Sequence, residues 1–360
     1  VHARNLRLLV GPFLVLVLSA RTWAQVTERE SVSSAGVQGD LNSTLPCISA
    51  DGRYVAFQSD ASTLVAGDTN GLTDIFVRDR YAGTLRRVNV TAGGAQANGT
   101  SSFPAISADG RFVAFRSAAS NLLFGFGTGP TTLEIYVVDL SSGAVSRASE
   151  GPFGLAGNHA SHTPSISADG RYVAFSSEAT NLVANDTNDK HDIFVRDREL
   201  GVTVRVSVTS TGGQANGDSF DPSISGNGRR VAFKSNALNL TAEGGNTGYA
   251  AFVHDLETGA TNCVSLGLNG APQLGSDPAM SSDGDSVAYF SGSDGLVAGD
   301  TNNRDDVFVH DLLTGTTSRI EAASGGGGGI SRFRPSISGD GRFVAFDSDA
   351  ASLPHLRVID

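Results

Sequence analysis

Two lysines, two cysteines, one methionine and one tryptophan are all that 360 residues hold of those four types. Two cysteines cannot frame a fold with disulfides or build a thiolate metal cluster. With so little lysine and a formal net charge of −11, the chain lacks the basic footprint that nucleic acid or an anionic lipid surface demands. Charged residues reach only 18%, and no stretch shows the 3.6-residue period of an amphipathic helix. After residue 25 no apolar run is long enough to cross a bilayer. What is abundant is glycine, 44 residues, which suits short strands joined by tight turns.

The first 24 residues differ from the rest. Arg4 and Arg7 precede an apolar run, Leu8 to Leu18, and Thr22-Trp23-Ala24 puts small residues where a signal peptidase cuts. Residues 1–24 therefore read as a cleaved secretory signal. That places the remaining chain in a bacterial periplasm or outside the cell, with no membrane span left. Export permits disulfides, but Cys47 and Cys263 fall on different strand types of separate repeats, so two free, mostly buried thiols are expected.

One stretch is written six times. Thr163-Pro-Ser-Ile-Ser-Ala-Asp-Gly-Arg-Tyr-Val-Ala-Phe175 returns at 45–57, 103–115, 221–233, 277–289 and 334–346, with prolines at 46, 104, 164, 222, 278 and 335. A fixed period near 58 residues marks a repeat architecture. In the third copy, Pro164–Ser167 reads as a strand and Asp169-Gly170 as a hairpin turn. Tyr172–Ser177 is a second strand, Asp192–Asp197 a third and Val202–Val208 a fourth. Four antiparallel strands per unit are the sequence form of a propeller blade. The ends fit together: Val26–Ser33 aligns with the fourth strand, whereas the last copy stops at Leu356–Asp360, its third. The expected fold is all-β, a six-bladed propeller over residues 25–360, closed by residues 26–33 pairing as the outer strand of the last blade.

These residues resemble the TolB-type propeller repeat, also called PD40 or WD40-like. The likeness rests on Ser167-Ala-Asp-Gly-Arg-Tyr-Val-Ala-Phe175 and Asp192-Ile-Phe-Val-Arg-Asp197, runs over residues 26–360, and lacks the α/β domain that precedes the propeller in TolB. Where the family usually has an aromatic before the turn, this chain has Ile48, Ile106, Ile166, Ile224, Ile337 or Met280. The resemblance implies the fold and an exported location more firmly than it implies TolB's partners.

Two constellations are candidates for chemistry. The loops after the second strands of copies one, three and five carry Asp68, Asn70 and Asp74; Asp186, Asn188 and Asp192; and Asp300, Asn302 and Asp306. Three oxygens on a curved backbone suit Ca²⁺, while an Asx-turn loop capping its own backbone explains the same residues and is favoured over it. The second constellation comes from comparing copies. Where six copies agree, the residue serves the blade; where they differ at one address, the scaffold does not dictate it. The residue before the proline is Leu45, Phe103, Thr163, Asp221, Asp277 or Arg334. The residue after the second-strand aromatic is Gln58, Arg116, Ser176, Lys234, Phe290 or Asp347. Both addresses are expected at one mouth of the channel, where Asp221, Asp277, Arg334, Arg116 and Lys234 gather with His162 and Arg332 from the connections. Such a polar half-ring suits a small ligand or a peptide terminus; rim residues paired with one another explain it equally well.

The enzymatic inventory is thin. No zinc-type His spacing and no Gly-x-Ser-x-Gly elbow occurs. The Asp-Gly-Arg copies and the Asp closing each third strand are turn residues. The reading is therefore a non-enzymatic, monomeric propeller that binds a protein or peptide through its loop-bearing face, with Ca²⁺ as the only cofactor to consider. The alternative is a metal-assisted hydrolase or lyase with its site in the channel, leaning on Asp221 and Asp277 as paired carboxylates.

Overall fold

A computed structural model describes residues 28–123, 132–244, 248–301, 304–320, 335–347 and 356–359. Five four-stranded antiparallel sheets follow one another along the chain. They are β1 (Ser43–Ile48), β2 (Tyr54–Ser59), β3 (Asp74–Asp79) and β4 (Thr84–Arg87); then β5 (Ser101–Ile106), β6 (Phe112–Ser117), β7 (Glu134–Asp139) and β8 (Val145–Arg147). The third holds β9 (Ser161–Ile166), β10 (Tyr172–Ser177), β11 (Asp192–Asp197) and β12 (Val202–Arg205). The fourth holds β13 (Ser219–Ile224), β14 (Arg230–Ser235), β15 (Ala250–Asp255) and β16 (Thr261–Cys263), and the fifth β17 (Ser276–Met280), β18 (Ser286–Ser291), β19 (Asp306–Asp311) and β20 (Thr316–Ile320). A sixth sheet has three strands, β21 (Ser336–Ile337), β22 (Val344–Asp347) and β23 (Leu356–Ile359). The first strands of consecutive sheets touch in series, β1 to β5 to β9 to β13 to β17 to β21, so they form the inner side of the array.

The Val-Ala-Phe strand explains the stacking. Small and large residues alternate across the pleat, so one face of a blade offers alanine and the facing blade fills it with an aromatic. Ala56 packs with Val113 and Phe115, Ala114 with Val173 and Phe175, and Ala174 with Val231 and Phe233. Ala232 then packs with Val287 and Tyr289, and Ala288 with Val344 and Phe346. Each such aromatic buries an area worth about 1.5–3 kcal/mol.

The turn between first and second strands is built by its own sequence. Asp169 accepts hydrogen bonds from Ser167 Oγ (2.6 Å) and the Arg171 amide (2.9 Å), and Ser167 Oγ accepts from the Tyr172 amide. Arg171 reaches Asp197 at the end of β11 (2.7 Å), whose other work is to accept the amides of Glu199 and Leu200. The expectation that these aspartates are structural is met. Gly170 has φ 74°, and a Cβ there would stand 2.2 Å from the Phe112 ring of the preceding blade. The same turns bond to one another from blade to blade, Ala50 N to Ala108 O (2.9 Å), Ala108 N to Ala168 O (3.0 Å), Ala168 N to Gly226 O (2.8 Å), Gly226 N to Ser282 O (2.8 Å) and Asp283 N to Gly339 O (2.9 Å).

The seam between last and first blades differs. Among the described residues no core cluster joins them; Val55 and Phe57 cluster with Ala61, Leu64, Phe76 and Leu85 of their own blade. Ile48 is 56% exposed, against 6% for Ile224 at the same address. Residues 28–30 form no strand, and no fourth strand pairs with the sixth sheet among the described residues. The alignment of this segment does hold one step later, since Val32 bridges Gln38 as Val208 bridges Gln214. Glu30 pairs with Arg80 (2.7 Å), and Arg78 donates to the Val32 carbonyl. The expected signal segment and Val26-Thr27 lie outside the described residues. Cys47 and Cys263 are free thiols, as expected, and burial pushes them up to about 12 and about 11.

Candidate binding site on the inner rim

The first strands of the five four-stranded sheets carry a bulge at the proline. Thr44 pairs with Gln58 and Cys47 with Ala56, so Leu45 and Pro46 together oppose Phe57; the same shift recurs in the next four sheets. The residue before the proline in these five strands is left-handed: Leu45 (φ 50°), Phe103 (56°), Thr163 (46°), Asp221 (55°) and Asp277 (50°). Non-glycine residues rarely adopt this region, and a bulge re-aims the side chain it carries. Five copies share the conformation while the side chain varies, so the scaffold imposes the backbone and leaves the residue open.

The varied side chains meet along one arc. Gln58 Oε1 accepts from the Phe103 amide (3.0 Å). The Arg116 guanidinium lies over the Phe103 ring at 4.6 Å, donates to Ser102 Oγ (3.1 Å) and stands 3.1 Å from His162 Nδ1. Because arginine only donates, His162 Nδ1 accepts and its proton sits on Nε2. Ring contacts continue from His162 to His191 (6.0 Å), His191 to Phe220 (4.5 Å) and Phe220 to Tyr249 (5.9 Å). His191 Nε2 is 3.0 Å from Glu178, and its buried Nδ1 has no hydrogen-bond partner. Lys234 Nζ closes the arc, 5.7 Å from the Tyr249 ring, 2.7 Å from Asp221 and 3.3 Å from Asp277.

Burial, then the charge of Arg116 and the neighbouring His191, hold His162 below the ordinary histidine range, which keeps it neutral at pH 7. Burial opposes the charge on Lys234, yet the two carboxylates outweigh it and raise its pKa. Asp221 and Asp277 are thus joined through one ammonium.

Of the expected mouth residues, Arg116, His162, Asp221, Lys234 and Asp277 come together on this arc; Arg332 and Arg334 lie outside the described residues. His191, Phe220, Tyr249 and Glu178 were not singled out. The signal was available: the residue before the third strand's first position is Thr73, Leu133, His191, Tyr249 or Asp305, another address where copies disagree.

The acidic loops already hold a cation, an arginine of the fourth strand. Arg87 Nη1 is 2.9 Å from both Asp68 and Asp74, which Asn70 Nδ2 also approaches. Arg205 repeats this with Asp186 (2.8 Å) and Asp192 (3.1 Å), and Arg319 with Asp300 (2.6 Å) and, at 3.6 Å, Asp306. The Leu72 amide donates to Asn70 Oδ1 and the Lys190 amide to Asn188 Oδ1, both Asx turns; Asn302 lies outside the described residues. The oxygens expected for Ca²⁺ are therefore spent on a guanidinium, and among the described residues no group of three or more His, Cys, Asp or Glu is arranged to hold a metal. The arginine was missed because it sits thirteen or more residues away, on the fourth strand.

No model of a known protein family matches the chain, and no curated protein matches it in sequence. Solved structures do resemble it. An oligogalacturonate lyase in complex with manganese superposes with TM-score 0.56 at 15% identity, covering 89% of this chain and 77% of the other. The β-propeller domain of the trilobed protease from Pyrococcus furiosus, described as having an open velcro topology, gives TM-score 0.53 at 12% identity over 89% and 82%. TolB from Acinetobacter baumannii gives 0.47 at 18% identity over 81% of this chain, which spans 57% of its length. Among the described residues no helix is long and apolar enough to cross a membrane. Six consecutive antiparallel sheets stacked on their Val-Ala-Phe strands, together with the first two likenesses, make the fold that of a β-propeller.

Proposed function

We propose that this is an exported, non-enzymatic propeller of the TolB type that binds a protein or peptide partner on the face where the rim arc lies. The supporting observation is the arc: cationic, aromatic and acidic side chains differ from blade to blade at fixed addresses, yet touch in sequence from Gln58 to Asp277. A scaffold residue repeats; a recognition residue need not. In this reading residues 1–24 direct export, the chain acts as a monomer, and residues 26–33 close the ring beside β23. The bridge from Val32 to Gln38 supports that register.

The test is photo-crosslinking in a cell-envelope extract with a probe placed at Phe220 or at Tyr81 on the opposite turns. The reading predicts a discrete crosslinked partner from Phe220 that is lost in the Arg116→Ala/Lys234→Ala variant, and none from Tyr81. Crosslinks from Tyr81 alone, or a small-molecule turnover with no partner captured, would contradict it.

A further inference from the structure

Blades two and four each place a cation after the second-strand aromatic, Arg116 and Lys234, but their surroundings differ. Around Lys234, the bulge residue of its own blade (Asp221) and that of the next blade (Asp277) supply two carboxylates. Around Arg116 the corresponding bulge residues are Phe103 and Thr163. Among the described residues its partners are Ser102 Oγ, His162 Nδ1 and the Phe103 ring, with no carboxylate. The repeat thus builds the same half-buried cation niche twice and neutralises it once. With Nε and one Nη1 proton engaged, the Nη2 protons and the second Nη1 proton remain, and a carboxylate takes such an edge in a bidentate fashion. The Phe103 ring covers one face of the guanidinium, so an apolar group beside the carboxylate would rest against aromatic surface.

We propose that Arg116, with His162 and Phe103, is the anchor for a carboxylate of the bound peptide, which stands where Asp221 and Asp277 stand in blade four. This rests on the peptide-binding reading of the arc and adds the chemical group it selects. Asp221 and Asp277 show that the left-handed position accepts aspartate, so Thr163→Asp should fill the niche from within the chain.

The experiment titrates N-acetylphenylalanine, its amide and inorganic phosphate into the full chain, following the imidazole resonances of His162 by NMR. The acid should shift them saturably, whereas the amide and phosphate should not. Arg116→Gln and Thr163→Asp should each weaken the acid by at least ~10-fold, with melting temperatures confirming that both variants fold. Equal responses to acid and amide, a matching response to phosphate, or unchanged binding in Thr163→Asp would overturn the proposal. Loss of the acid response with partner crosslinking from Phe220 intact would reject the anchor alone. Peptides with a free C-terminus, or with an amidated end and an internal glutamate, then tell which carboxylate is taken; binding of either supports the anchor.

Discussion

Arg87, Arg205 and Arg319 hold together carboxylates that would otherwise repel one another in a buried place. Asp74 and Asp192 are fully buried, and burial pushes Asp68, Asp186 and Asp192 up despite the arginine beside each. Removing a buried partner leaves its charge uncompensated, at a cost of about 3–5 kcal/mol. Arg87→Ala should lower stability by that order in urea denaturation, and Ca²⁺ added to chelator-stripped wild-type protein should leave the melting temperature unchanged. Blade four shows the converse. Ala250 and Cys263 stand at the addresses of the acid and the arginine, so both charges are absent together. Blade two is intermediate: Glu134 is fully buried, bonds Ser149 through one oxygen, and leaves Oε1 without a partner. Burial, against the smaller pull of Ser149 and Arg147, raises it to about 7. Between its unfolded pKa and 7 the native state holds a proton that the unfolded chain has released, so stability falls as pH rises through that window. Glu134→Gln should match wild type near pH 4, below the unfolded pKa, and exceed it at alkaline pH by up to about 3 kcal/mol, read from urea melts at both.

At the scale of the element, the hairpin turn and the blade behind it share one space. Gly170→Ala forces a Cβ against the Phe112 ring and strains a left-handed backbone, so it should cost about 2–4 kcal/mol, of which about 1 kcal/mol is conformational and the rest is the clash. Gly143→Ala, where nothing lies within 4 Å, should cost only the conformational part. In the Phe112→Ala background most of the excess at Gly170 should disappear, leaving only the 3.0 Å approach to the Cβ of residue 112, a coupling that a double-mutant cycle measures. Strands, turns and packing order were legible in the sequence because six copies repeat them, and period-2 alternation names the buried face. The proline bulge was not legible, because Leu45, Phe103 and Thr163 are residues that rarely adopt a left-handed backbone, yet they share it with Asp221 and Asp277. Nor was the arc as a whole, since His191, Phe220 and Tyr249 become neighbours only when blades stack. The ion pairs in the acidic loops were hidden for a similar reason: acid and arginine come from strands joined across a hairpin.

Across the whole molecule, five interfaces between consecutive blades are packed, and among the described residues no core cluster joins the last blade to the first. Gly110, Gly170 and Gly228 each receive an aromatic from the preceding blade, Tyr54, Phe112 and Tyr172. In a closed ring Gly52 would receive Phe343, which is 36% exposed, and Ile48 would be covered as Ile224 is. The arc from Gln58 to Asp277 stands within the first five sheets, and the rim runs unbroken around the channel only if the ring closes. Spin labels at Asp51 and Asp109 report the spacing of two packed blades, and labels at Asp340 and Asp51 report the seam, in a chain with Cys47 and Cys263 replaced by serine. Electron–electron double resonance should give the same mean distance for both pairs if residues 26–33 complete the last sheet. A seam pair that is longer and broader than the reference pair would contradict the closed ring and the continuous rim with it.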